Sequence, residues 1–380
     1  MKIGMVVPHA GFAGGIEKYA YDVSRGLRAR GHHLTLIYLD ENGRDRQDYT
    51  KAFDDVRAIQ SHDVAHNLDV VYAQRAGTVE ELAMFRGLPV VVASHDHDLT
   101  CPRSHRYLPL THEPCHRPPG FDCVRFGCVV VRDRRPSARL PVRLSNPFLL
   151  QKNLTRLAAR TRLVACSDYV ATNLKNAGVP AARVEVIHPI PPEQDAPLVD
   201  LPSERVLLVV GQLLRGKGFD VAIQALRYLP RDVSLIVAGD GPSKTDLRTE
   251  ASRVAEGRVR FLGYVPPEKL ASVYDEARVV IVPSMWPEPF GMVGIEAMRR
   301  ARPVVGANHG GIPEWLKEPE AGRLFQPKNA QSLAKAVEAV LDDVESGARA
   351  HDYVKKAFVH ASMIDAVEKM LTRVQKDEPL

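Results

Sequence analysis

No run of about 18 consecutive apolar residues occurs in the 380-residue chain, so it offers no transmembrane helix. Its opening, Met1-Lys2-Ile3-Gly4-Met5-Val6-Val7-Pro8, has too short an apolar part for a signal peptide and reads as a first strand. A cytoplasmic protein is therefore expected. Internal repeats and low-complexity tracts are absent. No nucleic-acid-binding module or interleaved aromatic platform accompanies the basic residues, which sets nucleic acid aside as a partner. Cysteine is scarce, five in all, and its spacing does not match the double Cys-x2-Cys pattern of common zinc sites.

What is present describes a globular protein. Hydrophobic residues make up 45% and charged residues 26%, enough apolar material for a sizeable core. The length suggests about two to three domains of ordinary size. The net charge of +5 is unevenly placed: between Arg125 and Arg162 ten Lys or Arg stand against one acid, Asp133. Such a patch suits anionic lipid or a lipid-linked phosphate, and with it peripheral association with a membrane; the alternative is a solvated face with no partner. Four cysteines crowd into one stretch, Cys101, Cys115, Cys123 and Cys128, with thirteen, seven and four residues between them. Disulfides are rare in a cytoplasmic chain, so the cluster suggests thiolate ligands for structural zinc or an iron–sulfur centre, with free thiols as the alternative. Pro114, Pro118, Pro119 and Gly120 fill a loop poor in core residues, which a metal would hold in place.

Short β-rich runs alternate with helical patterns along the whole chain. Ile3 to Val7, Leu34 to Leu39, Val70 to Ala73, Val90 to Ala93, Leu163 to Ala165 and Val184 to Ile187 form a first series. Residues 189–202 are rich in proline and acid, like a linker. A second series follows, with Val206 to Val210, Leu235 to Ala238, Val259 to Leu262, Val279 to Val282 and Pro303 to Gly306. This alternation predicts two doubly wound α/β domains, 1–190 and 203–354, with ligands outside the C-terminal ends of the strands.

The chemistry concentrates in residues 288–296, Glu-Pro-Phe-Gly-Met-Val-Gly-Ile-Glu. This segment lies between a buried-strand pattern and a helical one, so its turn meets a helix N-terminus, where unpaired amides and the helix dipole favour anions. A carboxylate on each side of a phosphate site suits a ligand with hydroxyls at both ends and charge in the middle, a sugar–diphosphate–ribose. A second strand-to-helix turn, Gly211-Gln-Leu-Leu-Arg-Gly-Lys217-Gly218, nearly spells a P-loop. Gly218 stands where a P-loop needs the Ser or Thr that binds Mg²⁺, so a P-loop NTPase is set aside. Asp96-His97-Asp98 spells an Asp-x-Asp, a triplet common by chance.

The 288–296 segment resembles the Glu-x7-Glu element of retaining glycosyltransferases of the GT-B fold, most closely glycosyltransferase family 4. Trp286-Pro287 before it and Gly310-Gly311-Ile312-Pro313-Glu314 after it add to the likeness. The resemblance implies the GT-B architecture, two Rossmann-like domains facing a cleft, with a C-terminal helix of about 355–380 returning to the first domain. It also implies a nucleotide-diphosphate sugar donor, with UDP or GDP expected, and an acceptor hydroxyl that the sequence leaves unidentified, in cell-envelope polysaccharide, glycolipid or other glycoconjugate synthesis. No cofactor would be needed for the chemistry. In the family's pattern Glu288 contacts the transferred sugar, Glu296 holds the ribose, and the amides around Phe290, Gly291, Met292 and Val293 lie against sugar and diphosphate. Gly211 opens the loop whose Lys217 meets the diphosphate; the family's Arg is here Gln212, and Arg215 is the nearest substitute. Gly239 lines the nucleotide pocket, and Gly310-Gly311 lets backbone approach the donor. Gly14 and Gly15 offer amides from the first domain, and His95 matches a histidine that touches the transferred sugar. A subset of the family also carries cysteines after this histidine. The alternatives within the fold are a nucleotide-sugar epimerase and a non-catalytic nucleotide-sugar-binding relative.

Overall fold

The computed structural model describes residues 1–132, 142–192, 198–320 and 322–376. Asp133, Arg134, Arg135 and Arg139 of the basic stretch, and 193–197 of the linker, lie outside them. The chain forms two compact units, Met1–Pro189 with His360–Leu380, and Ile190–Val359.

The first unit is built on parallel strands β1 (Lys2–His9), β2 (His33–Asp40), β3 (Asp55–Ala58), β4 (Val70–Ala73) and β5 (Val90–Ser94). A two-stranded antiparallel ribbon, β6 (Val130–Arg132) and β7 (Val142–Leu144), interrupts the series. Strands β8 (Arg162–Ala165) and β9 (Val184–Val186) then complete a seven-stranded sheet in the order β3-β2-β1-β4-β5-β8-β9. Strands β4 and β5 are buried throughout, the expected consequence of near-continuous β-branched runs covered on both faces. The sheet order reverses between β1 and β4, which makes that edge the switch point where α/β folds bind ligands.

Helix Gly15–Arg28 covers one face, and the helix His360–Gln375 packs on it, with Ile364 filling the space beside Gly26. Every third or fourth residue of the latter (Met363, Ile364, Val367, Met370, Leu371, Val374) is buried. Arg30 ties it down through Asp365 at 2.5 Å and Glu368 at 2.6 Å.

The second unit repeats the architecture with β10 (Val206–Val210), β11 (Ser234–Ala238), β12 (Val259–Gly263), β13 (Val279–Val282), β14 (Val304–Ala307) and β15 (Gly322–Phe325). All pair in parallel, in the order β12-β11-β10-β13-β14-β15. Here the order reverses between β10 and β13. The loops leaving those two strands carry Lys217 and Glu288.

Candidate functional site: two strand-end loops and a buried ion pair

In the second unit the loop after β10 and the loop after β13 are pressed together. Gly216 accepts backbone hydrogen bonds from Met285 at 2.9 Å and Trp286 at 3.1 Å. A Cβ on Gly216 would fall 2.3 Å from the Trp286 ring, so only glycine permits this approach. The second glycine pair acts in the same way. Gly311 N–H donates to the Glu288 carbonyl at 2.8 Å, and a Cβ on Gly310 would meet that carbonyl at 2.5 Å. Gly310-Gly311 therefore clamps the Glu288 backbone.

Glu288 is held at the centre of this contact. Its carboxylate accepts from Lys217 Nζ at 2.6 Å and from Ser284 Oγ. Ser284 is anchored by His309, whose Nε2–H donates to its carbonyl at 2.7 Å. Burial pushes the Glu288 carboxyl up, but the Lys217 charge and the hydrogen bonds from Lys217, Ser284 and Trp286 outweigh it, so its pKa lies below the ordinary glutamate value. The Glu288 side chain is 9% exposed and that of Lys217 29%, so the ammonium keeps an open side for further hydrogen bonds. The Trp286 ring lies 5.5 Å from Lys217 Nζ and adds a cation–π contact.

After Glu288 the chain turns through Gly291, whose φ of +94° suits glycine, and enters the helix Met292–Arg299. Phe290 is buried, and its carbonyl accepts from Trp315 Nε1 at 2.6 Å, which fixes the turn. Met292 and Val293 form the first helical residues, where unpaired amides gather. Glu296 is half-buried on this helix and accepts a hydrogen bond from Tyr274 Oη at 3.2 Å. Gly211 and Gly239 leave β10 and β11 with their backbones abutting: a Cβ on Gly239 would lie 1.8 Å from the Gly211 carbonyl. Arg215 shares the short 3-10 turn with Lys217 but is exposed, and neither Lys217 nor Glu288 contacts it. Its charge is felt by Asp220. Lys217 and Glu288 are thus brought together and Arg215 stands apart.

In the first unit Gly14 caps the helix Gly15–Arg28. Burial raises the pKa of Glu17 in its first turn, and the Gly14 amide acts against that rise. His95 follows β5 and hydrogen-bonds Gln74 Oε1 through Nε2 at 2.9 Å, while Tyr19 packs edge-on at 4.8 Å between ring centres. Burial lowers the His95 pKa to about 4 against a smaller opposing pull from Asp98, so the ring is neutral at physiological pH. Asp96 accepts from the Asp98 amide at 2.6 Å, and Asp98 pairs with Arg75 at 2.9 Å. The Asp-x-Asp triplet is a local turn closed by an arginine.

Cys101, Cys115, Cys123 and Cys128 are free thiols, with Cys101 and Cys128 buried. Burial first, then the neighbouring Cys101, Cys123 and Cys115, pushes the Cys128 thiol up to about 12. Ligands around one tetrahedral metal at about 2.3 Å would lie about 4 Å apart. The ligand atoms gathered within 4.8 Å of one another among the described residues do not include these sulfurs. Arg106, fully buried, organises the loop backbone, donating to the carbonyls of Cys115 (2.8 Å), Arg117 (2.8 Å) and Thr100 (3.3 Å).

Ser284, Tyr274, His309, Trp315 and Gln74 escaped the sequence reading as site residues. Each reaches its partner from 21 to 25 residues away or holds it from a neighbouring loop, so no local motif marks it, except that Ser284 stands only four residues before Glu288.

Comparison with known proteins agrees with this architecture. Residues 13–190 match the family described as Glycosyltransferase Family 4, and residues 193–357 match Glycosyl transferases group 1. An uncharacterized glycosyltransferase of Methanocaldococcus jannaschii is 37% identical over 144 residues, 37% of this chain and 37% of that protein. A D-inositol 3-phosphate glycosyltransferase of Corynebacterium diphtheriae is 36% identical over 179 residues, 43% of this chain and 42% of that protein. The matched stretch thus spans about two-fifths of each relative's length. The fold of Anabaena HepE, solved with UDP-glucose, superposes with a TM-score of 0.70 at 22% identity, over 98% of this chain and 100% of that one. With a glycosyltransferase family match in each half and the same fold along its length, the chain belongs to the glycosyltransferases of the GT-B fold.

Proposed function

We propose that the protein is a retaining glycosyltransferase that moves a sugar from a nucleotide-diphosphate donor, with UDP or GDP as the nucleotide, to an acceptor hydroxyl. The observation that carries this reading is the Lys217–Glu288 pair at 2.6 Å, at the switch point of the second sheet. The pair keeps a carboxylate ionised in a buried place and a cation open on one side. Glu288 then accepts hydrogen bonds from sugar hydroxyls, and Lys217 meets the diphosphate, with Arg215 swinging in from its exposed position. Glu296, steadied by Tyr274, receives the ribose hydroxyls, and the amides of the Gly291 turn face the diphosphate.

The reaction follows from this charge arrangement. The bond between the anomeric carbon and the phosphate oxygen breaks, and the acceptor oxygen bonds to the same face of that carbon. The departing phosphate oxygen takes the acceptor's proton. Negative charge builds on the diphosphate, where Lys217 and the helix N-terminus stabilise it, a role that metal ions fill in other enzymes. Positive charge builds on the sugar, beside the Glu288 carboxylate.

The acceptor is read as membrane-associated. Eight of the sixteen strongly exposed large hydrophobic side chains among the described residues fall between Leu110 and Leu149, including Phe121, Leu144, Phe148 and Leu149. They stand among Arg125, Arg143, Lys152 and Arg156, a combination that suits an anionic lipid surface. No described helix is long and apolar enough to cross a membrane.

Two measurements test the reading. Thermal stabilisation across a panel of nucleotide sugars identifies the donor, since specific binding raises apparent stability. Release of nucleotide diphosphate that depends on an acceptor, with the anomeric configuration kept in the product, is the expected result. A changed sugar without release, or binding without any turnover, would overturn it.

A further inference from the structure

The strand-end constellation of the first unit contains a residue that the function above does not use. We infer that Gln74 is a positioning residue that fixes the tautomer of His95, with the proton on Nε2 and Nδ1 left as acceptor for a sugar hydroxyl. The inference rests on the glycosyl-transfer reading for its substrate but not for its tautomer.

Gln74 directly follows β4, beside the switch point, and is 1% exposed. Its amide has one workable orientation. Nε2 donates to Met5 Sδ at 3.0 Å and to the Tyr72 carbonyl at 3.5 Å. Turning the amide over would set Oε1 against that carbonyl oxygen and the thioether sulfur, acceptor against acceptor. Oε1 therefore faces His95 Nε2, 2.9 Å away, and an amide oxygen can only accept. The imidazole must place a hydrogen on Nε2, which leaves Nδ1 with the lone pair as long as the ring is neutral.

The surroundings keep it so. Among the described residues Gln74 is the ring's one hydrogen-bond partner. Tyr19 covers one side, held by its own hydroxyl contact with Tyr72 at 2.9 Å. Cys166 Sγ contacts the His95 carbonyl at 3.8 Å. Asp98 is the charged group that acts on the ring, and Arg75 already pairs with it. A neutral acceptor has a chemical advantage here: it orients a hydroxyl without adding positive charge near a sugar that is itself becoming positive, whereas an imidazolium would oppose that change.

The test is the ¹⁵N spectrum of the histidine rings in the full-length protein at pH 7, with His95→Gln identifying the signal. The expected result is a single Nε2–H tautomer for His95. In Gln74→Leu, which fills the space without an acceptor, the signal should become a mixture of tautomers. Turnover should fall about tenfold in that variant, with KM for the nucleotide sugar changed less than about twofold. Gln74→Glu, protonated in this buried place, keeps an acceptor for Nε2–H and a donor for the Tyr72 carbonyl, and so guards against a folding defect in the leucine variant. It should restore the tautomer and most of the turnover. An Nδ1–H tautomer in the unaltered protein, or an unchanged tautomer in Gln74→Leu, would overturn the assignment. The expected tautomer behaviour in a protein that transfers no sugar would uphold the Gln74 assignment and sink the functional reading instead.

Discussion

The two units share a topology and use it with opposite electrostatics. Each sheet reverses its strand order once, and each places a polar side-chain pair in the loops leaving strands at or beside that reversal. In the second unit the pair is Lys217–Glu288, charged and reinforced by Ser284 and His309. In the first it is Gln74–His95, uncharged, with burial lowering the imidazole pKa to about 4. The fold thus supplies the location, and the residues within it decide whether that location carries charge. A buried carboxylate survives as an anion only with a cation within hydrogen-bond reach, and the first unit brings no such partner to His95.

Removing the charge from the second unit should have the largest consequence. Glu288→Ala is expected to lower turnover about 10²- to 10³-fold, because the carboxylate is most needed when the sugar becomes positive. Nucleotide binding, measured by calorimetry, should stay within about threefold. Near-normal turnover would erase the functional contrast between the units.

Lys217→Met probes the other half of the pair and should lower turnover as well as stability, since Lys217 also stabilises the departing diphosphate. It strands the Glu288 carboxylate with little water, at a cost on the order of 3 kcal/mol in urea unfolding. Glu288→Gln should cost less, since the Lys217 ammonium can turn to solvent. Equal costs for the two would show that the pair is solvated alike from both sides.

Gly216→Ala leaves both charges in place and disturbs only the loop contact. Its Cβ would press into the Trp286 ring, with an expected loss of about 1–3 kcal/mol and a melting temperature several degrees lower. An unchanged melting temperature would mean that the two loops are not in register.

The last effect concerns acid. The unfolded chain protonates His95 near its ordinary value of 6.5, and the folded protein only near 4, so the His95 contribution to stability declines as pH falls through that window, while Asp96, pushed up to about 8 by burial, contributes in the opposite sense. Glu288 has a folded pKa below its ordinary 4.5, so its contribution is full above that value and is lost at lower pH. Relative to wild type, His95→Gln should therefore lose the His95 part of the slope between about pH 4 and 6.5 and keep the remainder. A wild-type slope in that variant would show that the ring titrates alike in both states.

What could be read from the sequence follows the range of the interactions. The long central strands announced themselves as β-branched runs, and Glu288, Gly291 and Glu296 stood in one contiguous turn between strand and helix. Strands β3 and β15 did not. Asp55-Val-Arg-Ala and Gly322-Arg-Leu-Phe are four residues each and edge or near-edge in character, so pairing with a neighbour makes them strands, not their own pattern. The Lys217–Glu288 contact joins residues 71 apart, and only the glycine approach at Gly216 brings them together. In the same way, four close-set cysteines stand out in the sequence, whereas Arg106, which organises that loop's backbone, is one arginine among many.

Trp286 and Trp315 are the only tryptophans in the chain. One lies against Gly216 and the Lys217 ammonium; the other is buried under the Gly291 turn and bonded to the Phe290 carbonyl. Excitation at the red edge of tryptophan absorption therefore reads the Glu288 loop and nothing else. The protein carries its own optical probe of that loop, so ligand titrations and loop motions can be followed without a label.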